Sequence, residues 1–150
     1  MSILQTATTS FKVQLLQAVH NFGPTTPNTF KIALYTANAD INADTTVYTT
    51  SNEVSSSGTG YTAGGNTLVI STSPTSGNNT GNVPTAYISF SNSTWTNATV
   101  TARAALIYNV TQGNKSVAVL DFGADKTVSN DTFQVIFPTP DANSAIVRIS

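Results

Sequence analysis

From Phe30 to the C-terminus the apolar residues of this chain recur at every second position, and that period confines most of it to β-structure. Successive side chains of a strand leave opposite faces, so residues i, i+2 and i+4 share one face. Phe30, Ile32 and Leu34 do so, as do Phe133, Val135 and Phe137. In a longer segment Val100, Ala102, Ala104, Leu106 and Tyr108 line one face, while Thr99, Thr101 and Arg103 begin the other. Eight segments qualify as strands: 30–36, 46–50, 66–71, 85–90, 98–108, 115–122, 131–137 and 145–149. They are rich in Val, Ile, Thr, Tyr and Phe, which suit a pleated, half-buried surface. Turn-forming stretches at 24–29, 55–65, 73–84 and 109–114 separate many of them. The expected fold is therefore all-β: a two-layer antiparallel β-sandwich, jelly-roll-like in preference to immunoglobulin-like, with one short N-terminal α-helix. No fixed-period repeat and no dividing linker occur, so residues 1–150 are expected to form one domain.

Residues 1–24 form an N-terminal segment whose period is helical. Over 10–22, Phe11, Leu15, Val19 and Phe22 recur at spacings that place them on one stripe. Ser10 is a candidate N-cap and Gly23-Pro24 a stop signal. A helix this short is marginal in water, so it must pack against something. Its own sheet is the expected support; docking onto a partner is the other use such a helix can serve.

Composition removes several function classes. Thr, Ser and Asn number 26, 16 and 15, whereas charged residues make up only 9% and the net charge is −1. With 39% hydrophobic residues the chain lacks the signature of disorder. Six Lys and Arg spread over the sequence cannot displace many counterions, which argues against nucleic acid as a partner. Cysteine is absent, so thiol catalysis, thiolate zinc sites and disulfides are excluded. No apolar run approaches the ~20 residues that span a bilayer, and no membrane partner is expected. Residues 1–10 lack the cationic and apolar regions of a signal peptide. The triplets Asn92-Ser93-Thr94 and Asn97-Ala98-Thr99 are what a chain so rich in these residues contains by chance.

The residues able to carry chemistry are sparse. His20 is the only histidine and would have to serve any triad or zinc site alone; near a helix C-terminus it reads as structural. Glu53 is the only glutamate, and nothing in the local spacing of the six aspartates suggests a carboxylate pair for glycoside hydrolysis. Asp40, Asn42 and Asp44 match the first three ligand positions of a calcium loop, but Thr45 and Ser51 stand where Gly and Glu are required. A polar turn is the expectation there, with a hard-cation site the alternative.

Gly58, Gly60, Gly64 and Gly65, in SGTGYTAGGN, miss the phosphate-cradling spacing by one residue. They are expected to supply positive φ and close backbone approach in a tight loop, with Tyr61 packing over the sandwich edge. Asp121-Phe122-Gly123 imitates a kinase magnesium motif without its accompanying sequences. Asp121 is expected to end a strand, with Asp125 and Lys126 in the following turn. Most of the aromatic residues, including Trp95, suit a core, with sugar stacking the alternative. No enzymatic activity, cofactor, catalytic residue or metal site is expected.

A Thr/Ser/Asn surface with little net charge lacks the repulsion that keeps free monomers apart, which suits a homo-oligomer or a lattice-bound protein. The strings 29–36 (TFKIALYT), 53–66 (EVSSSGTGYTAGGN), 93–109 (STWTNATVTARAALIYN), 115–127 (KSVAVLDFGADKT) and 132–149 resemble, in order, a family of small virion structural proteins of tailed bacteriophages. That resemblance implies a non-enzymatic virion component, best matched by a capsid decoration (cement) protein. Its partners would be the major capsid protein or other virion proteins. The alternative is a neck, tail or fibre component contacting the host surface; a more distant one is a carbohydrate-binding module unconnected to phage.

Overall fold

The computed structural model describes residues 2–150. Eight strands and one helix follow one another as β1 (Thr6–Ala7), α1 (Thr9–Leu16), β2 (Phe30–Tyr35), β3 (Asn66–Leu68), β4 (Ile70–Asn78), β5 (Pro84–Phe90), β6 (Ser93–Asn109), β7 (Lys115–Val135) and β8 (Val147–Ile149). They form two antiparallel sheets, β1-β7-β6-β2-β3 and β4-β5-β8. The all-β, two-sheet expectation with one short helix is met. The jelly-roll refinement gains no support from a five-plus-three order dominated by one hairpin, β6–β7.

The space between the sheets is filled from both sides. Phe30, Ile32 and Leu34 of β2, Ile107 of β6 and Val117 of β7 meet Ile88 and Phe90 of β5 and Val147 of β8 in one cluster. The larger sheet is also covered on its other face. There Ala33, Tyr35, Ala104, Leu106, Tyr108 and Val119 pack with Ala39 and Ile41 of the connection 36–54. Two-sided burial explains why β2 and the end of β6 are apolar at nearly every position.

Several sequence expectations need correction. The expected face of 98–108 breaks at a register shift between Ala102 and Ala104. Val100 and Ala102 face the inter-sheet core, as do Ala105 and Ile107, whereas Ala104, Leu106 and Tyr108 face the opposite side. An irregularity of this kind reverses the parity of every later side chain.

The segments 115–122 and 131–137 belong to one 21-residue strand, β7, that follows β6 throughout. The expected turn survives only as a bulge: Asp121 pairs with Ala104 and Lys126 with Ala102, so four residues of β7 oppose the single Arg103.

Segment 46–50 is not a strand but makes a single isolated bridge, Val47 to Lys115. In it the Tyr48 amide donates to the Asn114 carbonyl and the Ser116 amide to the Thr46 carbonyl, each at 2.9 Å, while the Tyr48 side chain packs on the sheet's outer face. The 73–84 stretch, expected as loop, is largely strand β4 and its turn into β5.

Finally, α1 ends at Leu16, not 22, and its N-cap is Thr8 rather than Ser10. Thr8 is fully buried; its hydroxyl accepts from the Phe11 amide at 3.3 Å and bonds Ser116 Oγ at 2.9 Å, tying the helix start to β7. Ala18 adopts φ 58°, and this left-handed residue turns the chain back so that Phe22 reaches Phe11, ring centroids 6.1 Å apart. The helix rests on its own sheet through Phe11.

Candidate functional site

The densest polar constellation gathers around Glu53, a partly buried carboxylate on the outer face of the larger sheet. Its Oε1 accepts from the Tyr61 hydroxyl at 2.6 Å and from the Gly64 amide at 2.6 Å; its Oε2 accepts from the Tyr48 hydroxyl at 2.7 Å. Tyr61 Oη accepts in turn from the Leu34 amide at 3.0 Å. The Tyr108 hydroxyl donates to the Gly64 carbonyl at 2.7 Å, and its ring stacks on Tyr48 with centroids 4.6 Å apart. Tyr35 closes the set by donating to the Thr49 carbonyl at 2.5 Å.

Three parts of the chain, 48–54, 61–64 and the β2/β6 ladder, thus meet at one carboxylate. With three short donors on it, Glu53 is occupied as an acceptor, and these bonds fasten the loops 48–54 and 61–64 to one another.

The electrostatics agree. Burial, followed by the Glu53 charge, pushes the Tyr108 phenol up to about 12. Burial, then interaction with Glu53, raises Tyr35, Tyr48 and Tyr61 further still. A folded-state pKa above the unfolded value of about 10 favours the neutral phenol, so this contribution is complete below pH 10 and is lost as pH rises through the folded values. Absorbance at 295 nm is therefore expected to show these four phenols still protonated at pH 11. They should ionise only in a step coincident with loss of the far-UV dichroism. Gradual ionisation by pH 11 with the fold intact would contradict the buried cluster.

The other candidates resolve locally. Asp40, Asn42 and Asp44 form the polar turn: Asn42 Nδ2 donates to Asp40 Oδ1 at 3.0 Å, and Asn42 Oδ1 accepts from the Asp44 amide at 2.8 Å. Among the described residues no three His, Cys, Asp or Glu side chains gather as a metal would need. Gly60 and Gly65 lie against the backbones of β6 and β2 at φ 71° each, and Tyr61 is buried between them, with its ring centroid 6.0 Å from that of Trp95. Trp95 itself is only 4% exposed, so its ring offers no face to a sugar. Asp121 Oδ1 accepts from the Gly123 amide at 2.8 Å and from Arg103 Nε at 3.2 Å, and these bonds hold its carboxyl below the usual range. This pair stands at the β7 bulge.

Two apolar grooves remain. Phe122 and Phe133 lie eleven positions apart on β7, which would be roughly 36 Å in a straight strand, yet their ring centroids are 6.2 Å apart. The β6–β7 ribbon therefore curls on itself and forms an open groove of about 510 Å³ lined by Phe122, Lys126, Val128, Phe133, Val135 and Ile136. A second groove of about 340 Å³ separates Leu15, His20 and Phe22 from Ile88, Val147 and Ile149. α1 also turns Val13 and Leu16 outward, 50% and 92% exposed, and Ile149 of β8 is 58% exposed.

The tyrosine cluster is absent from the sequence expectations because its members lie up to 73 positions apart, from Tyr35 to Tyr108. The isolation of one glutamate among so few charges is the only local sign of it. No protein-family model, curated protein or solved structure matches this chain.

Proposed function

We propose that this protein is a non-enzymatic structural subunit of a tailed-phage particle, acting as a capsid decoration protein that clamps neighbouring capsomers. The observation that carries the reading is the exposure of large apolar side chains on α1 and β8, Val13, Leu16 and Ile149, together with the apolar groove lined by Leu15 and Ile149. In a chain with so few charges, such exposed apolar side chains suit a contact with another protein surface better than a free surface. The order of resembling strings along the chain supplies the phage context. Modest contacts repeated over many capsid sites would hold the particle together through avidity. The major capsid protein and further copies of the chain are the partners this reading requires.

Quantitative mass spectrometry of purified particles tests it. Hundreds of copies, in a simple ratio to the major capsid protein, are the expected result. A few to a few tens of copies would place the protein in the neck, tail or fibres, and absence from the particle would overturn the virion reading. Leu16→Glu is expected to lower occupancy on particles while changing stability by less than about 0.5 kcal/mol, because an exposed side chain contributes little to folding. Unchanged occupancy would remove α1 from the contact.

A further inference from the structure

His20 is held in a single protonation state by hydrogen bonds whose direction the backbone fixes. The Gln112 amide donates to Asn109 Oδ1 at 3.3 Å, so the Asn109 amino group is what faces the ring. That amino group also donates to Asn28 Oδ1 at 2.9 Å, an oxygen fixed as acceptor by the Asn21 amide, likewise 2.9 Å away. Its remaining hydrogen points at His20 Nδ1, 2.9 Å off. Nδ1 therefore presents a lone pair, and the neutral ring carries its proton on Nε2, which donates to Gln14 Oε1 at 2.8 Å. A second proton has only Nδ1 to occupy, where it meets the amino hydrogens of Asn109. Asn109 is fully buried and cannot reverse its amide without abandoning Gln112 and Asn28.

We propose that Gln14, His20, Asn28 and Asn109 form an acid-released latch: protonation of His20 frees the strap 17–29, between α1 and β2, from the end of the β6–β7 hairpin while both sheets stay folded.

The surroundings offer an imidazolium no compensation. The strap carries no charged residue; α1 carries only Lys12, β2 only Lys31, β5 none and β8 only Arg148. β6 contributes Arg103, paired with Asp121, and β7 begins with Lys115, its first carboxylate being that same Asp121. Burial and, second, the Lys115 charge lower the ring from 6.5 to about 4. Above pH 6.5 the ring is neutral whether latched or free, and the latch is at full strength. Between 6.5 and 4 the free ring takes up a proton that the latched ring refuses, so the latch weakens roughly tenfold per pH unit. Below about 4 both forms are protonated and the loss levels off.

NMR of the intact protein tests this through the His20 ring titration and the exchange protection of strap amides such as Thr29, whose N–H donates to Thr111 Oγ1 of the hairpin at 2.8 Å, corrected for intrinsic rates. Strap protection is expected to fall roughly tenfold per unit below pH 6 while the amides of β6 and β7 hold. A ring that titrates near 6.5, strap protection that stays flat to pH 4, or an equal fall in β6 and β7 would each overturn the latch. Asn109→Asp places an acceptor at Nδ1. It is expected to raise the ring above 6.5 and to make the strap tighter at pH 5 than at pH 8; wild-type behaviour in this variant would refute the polarity argument. His20→Gln should abolish the acid dependence, and its persistence would assign the trigger to another group. Should neither variant fold, the wild-type titration decides by itself.

Discussion

Replacing Glu53 with alanine is expected to cost about 3–5 kcal/mol in urea unfolding. The carboxylate receives three hydrogen bonds of 2.6–2.7 Å from Tyr48, Tyr61 and Gly64, and bonds to a charged acceptor contribute about 1.5–3 kcal/mol each. Partial exposure of Glu53 lowers the sum toward the bottom of that range. Its loss also strands two phenols and one main-chain N–H in a partly buried site. Measured against the 5–15 kcal/mol that holds a typical domain, this one change removes a large share. Glu53→Gln should be milder, about 1–2 kcal/mol, because its carbonyl oxygen still accepts and a phenol can rotate to receive from its amide. The glutamine variant should also ionise Tyr48 and Tyr61 at lower pH, since the negative charge that opposes a phenolate is gone. A Glu53→Ala protein within 1 kcal/mol of wild type would mean that the tyrosine cluster is decoration on an already determined fold.

What reads directly from the sequence here is what depends on short range. The period-two runs Phe30/Ile32/Leu34 and Phe133/Val135 are buried on one face in the folded protein as well. The glycines of SGTGYTAGGN take positive φ, and two of them, Gly60 and Gly65, lie against the backbones of neighbouring strands. Features that depend on pairing did not read so directly. Nothing local to 98–108 says that its parity changes near Ala104; the change follows from the bulge opposite Arg103, set by the register of two strands. Helix α1 stops at Leu16 because burial of Phe22 and His20 against Phe11 and Asn109 outweighs the propensity of 17–22 to continue winding. Glu53 and its partners Tyr48, Tyr61 and Gly64 meet against β2 and β6, and such a cluster exists only once β2, β6 and the 55–65 loop are in place. The same holds for His20, whose decisive neighbour lies 89 positions away.

The second large effect is expected at Gly65. This residue sits at φ 71°, and a methyl group there would collide with the Ile32 carbonyl oxygen, lie 2.6 Å from the carbonyl carbon and 2.8 Å from Ala33 Cα. These are backbone atoms inside the β2–β3 ladder, which starts at the next residue with Ile32 opposite Asn66; they cannot step aside as the end of a side chain can. The left-handed conformation costs an alanine about 1–2 kcal/mol, and forced displacement of packed backbone adds about 1–3. Gly65→Ala is therefore expected to destabilise by about 3–4 kcal/mol. Gly113 separates the two contributions: it has nearly the same φ, 70°, with nothing within 4 Å of its would-be methyl. Gly113→Ala should lose only the conformational part, about 1–2 kcal/mol. Equal losses at the two sites would show that backbone conformation alone, not close approach to β2, accounts for Gly65. Moving Gly65 must also shift Gly64, whose amide donates to Glu53. Gly65→Ala and Glu53→Ala consequently damage one shared fastening, and the double variant should lose at least 1 kcal/mol less than the two single losses combined. Strict additivity would separate the loop's anchoring on β2 from its attachment to Glu53, and the carboxylate would then hold Tyr48 and Tyr61 without setting the loop's place on the sheet.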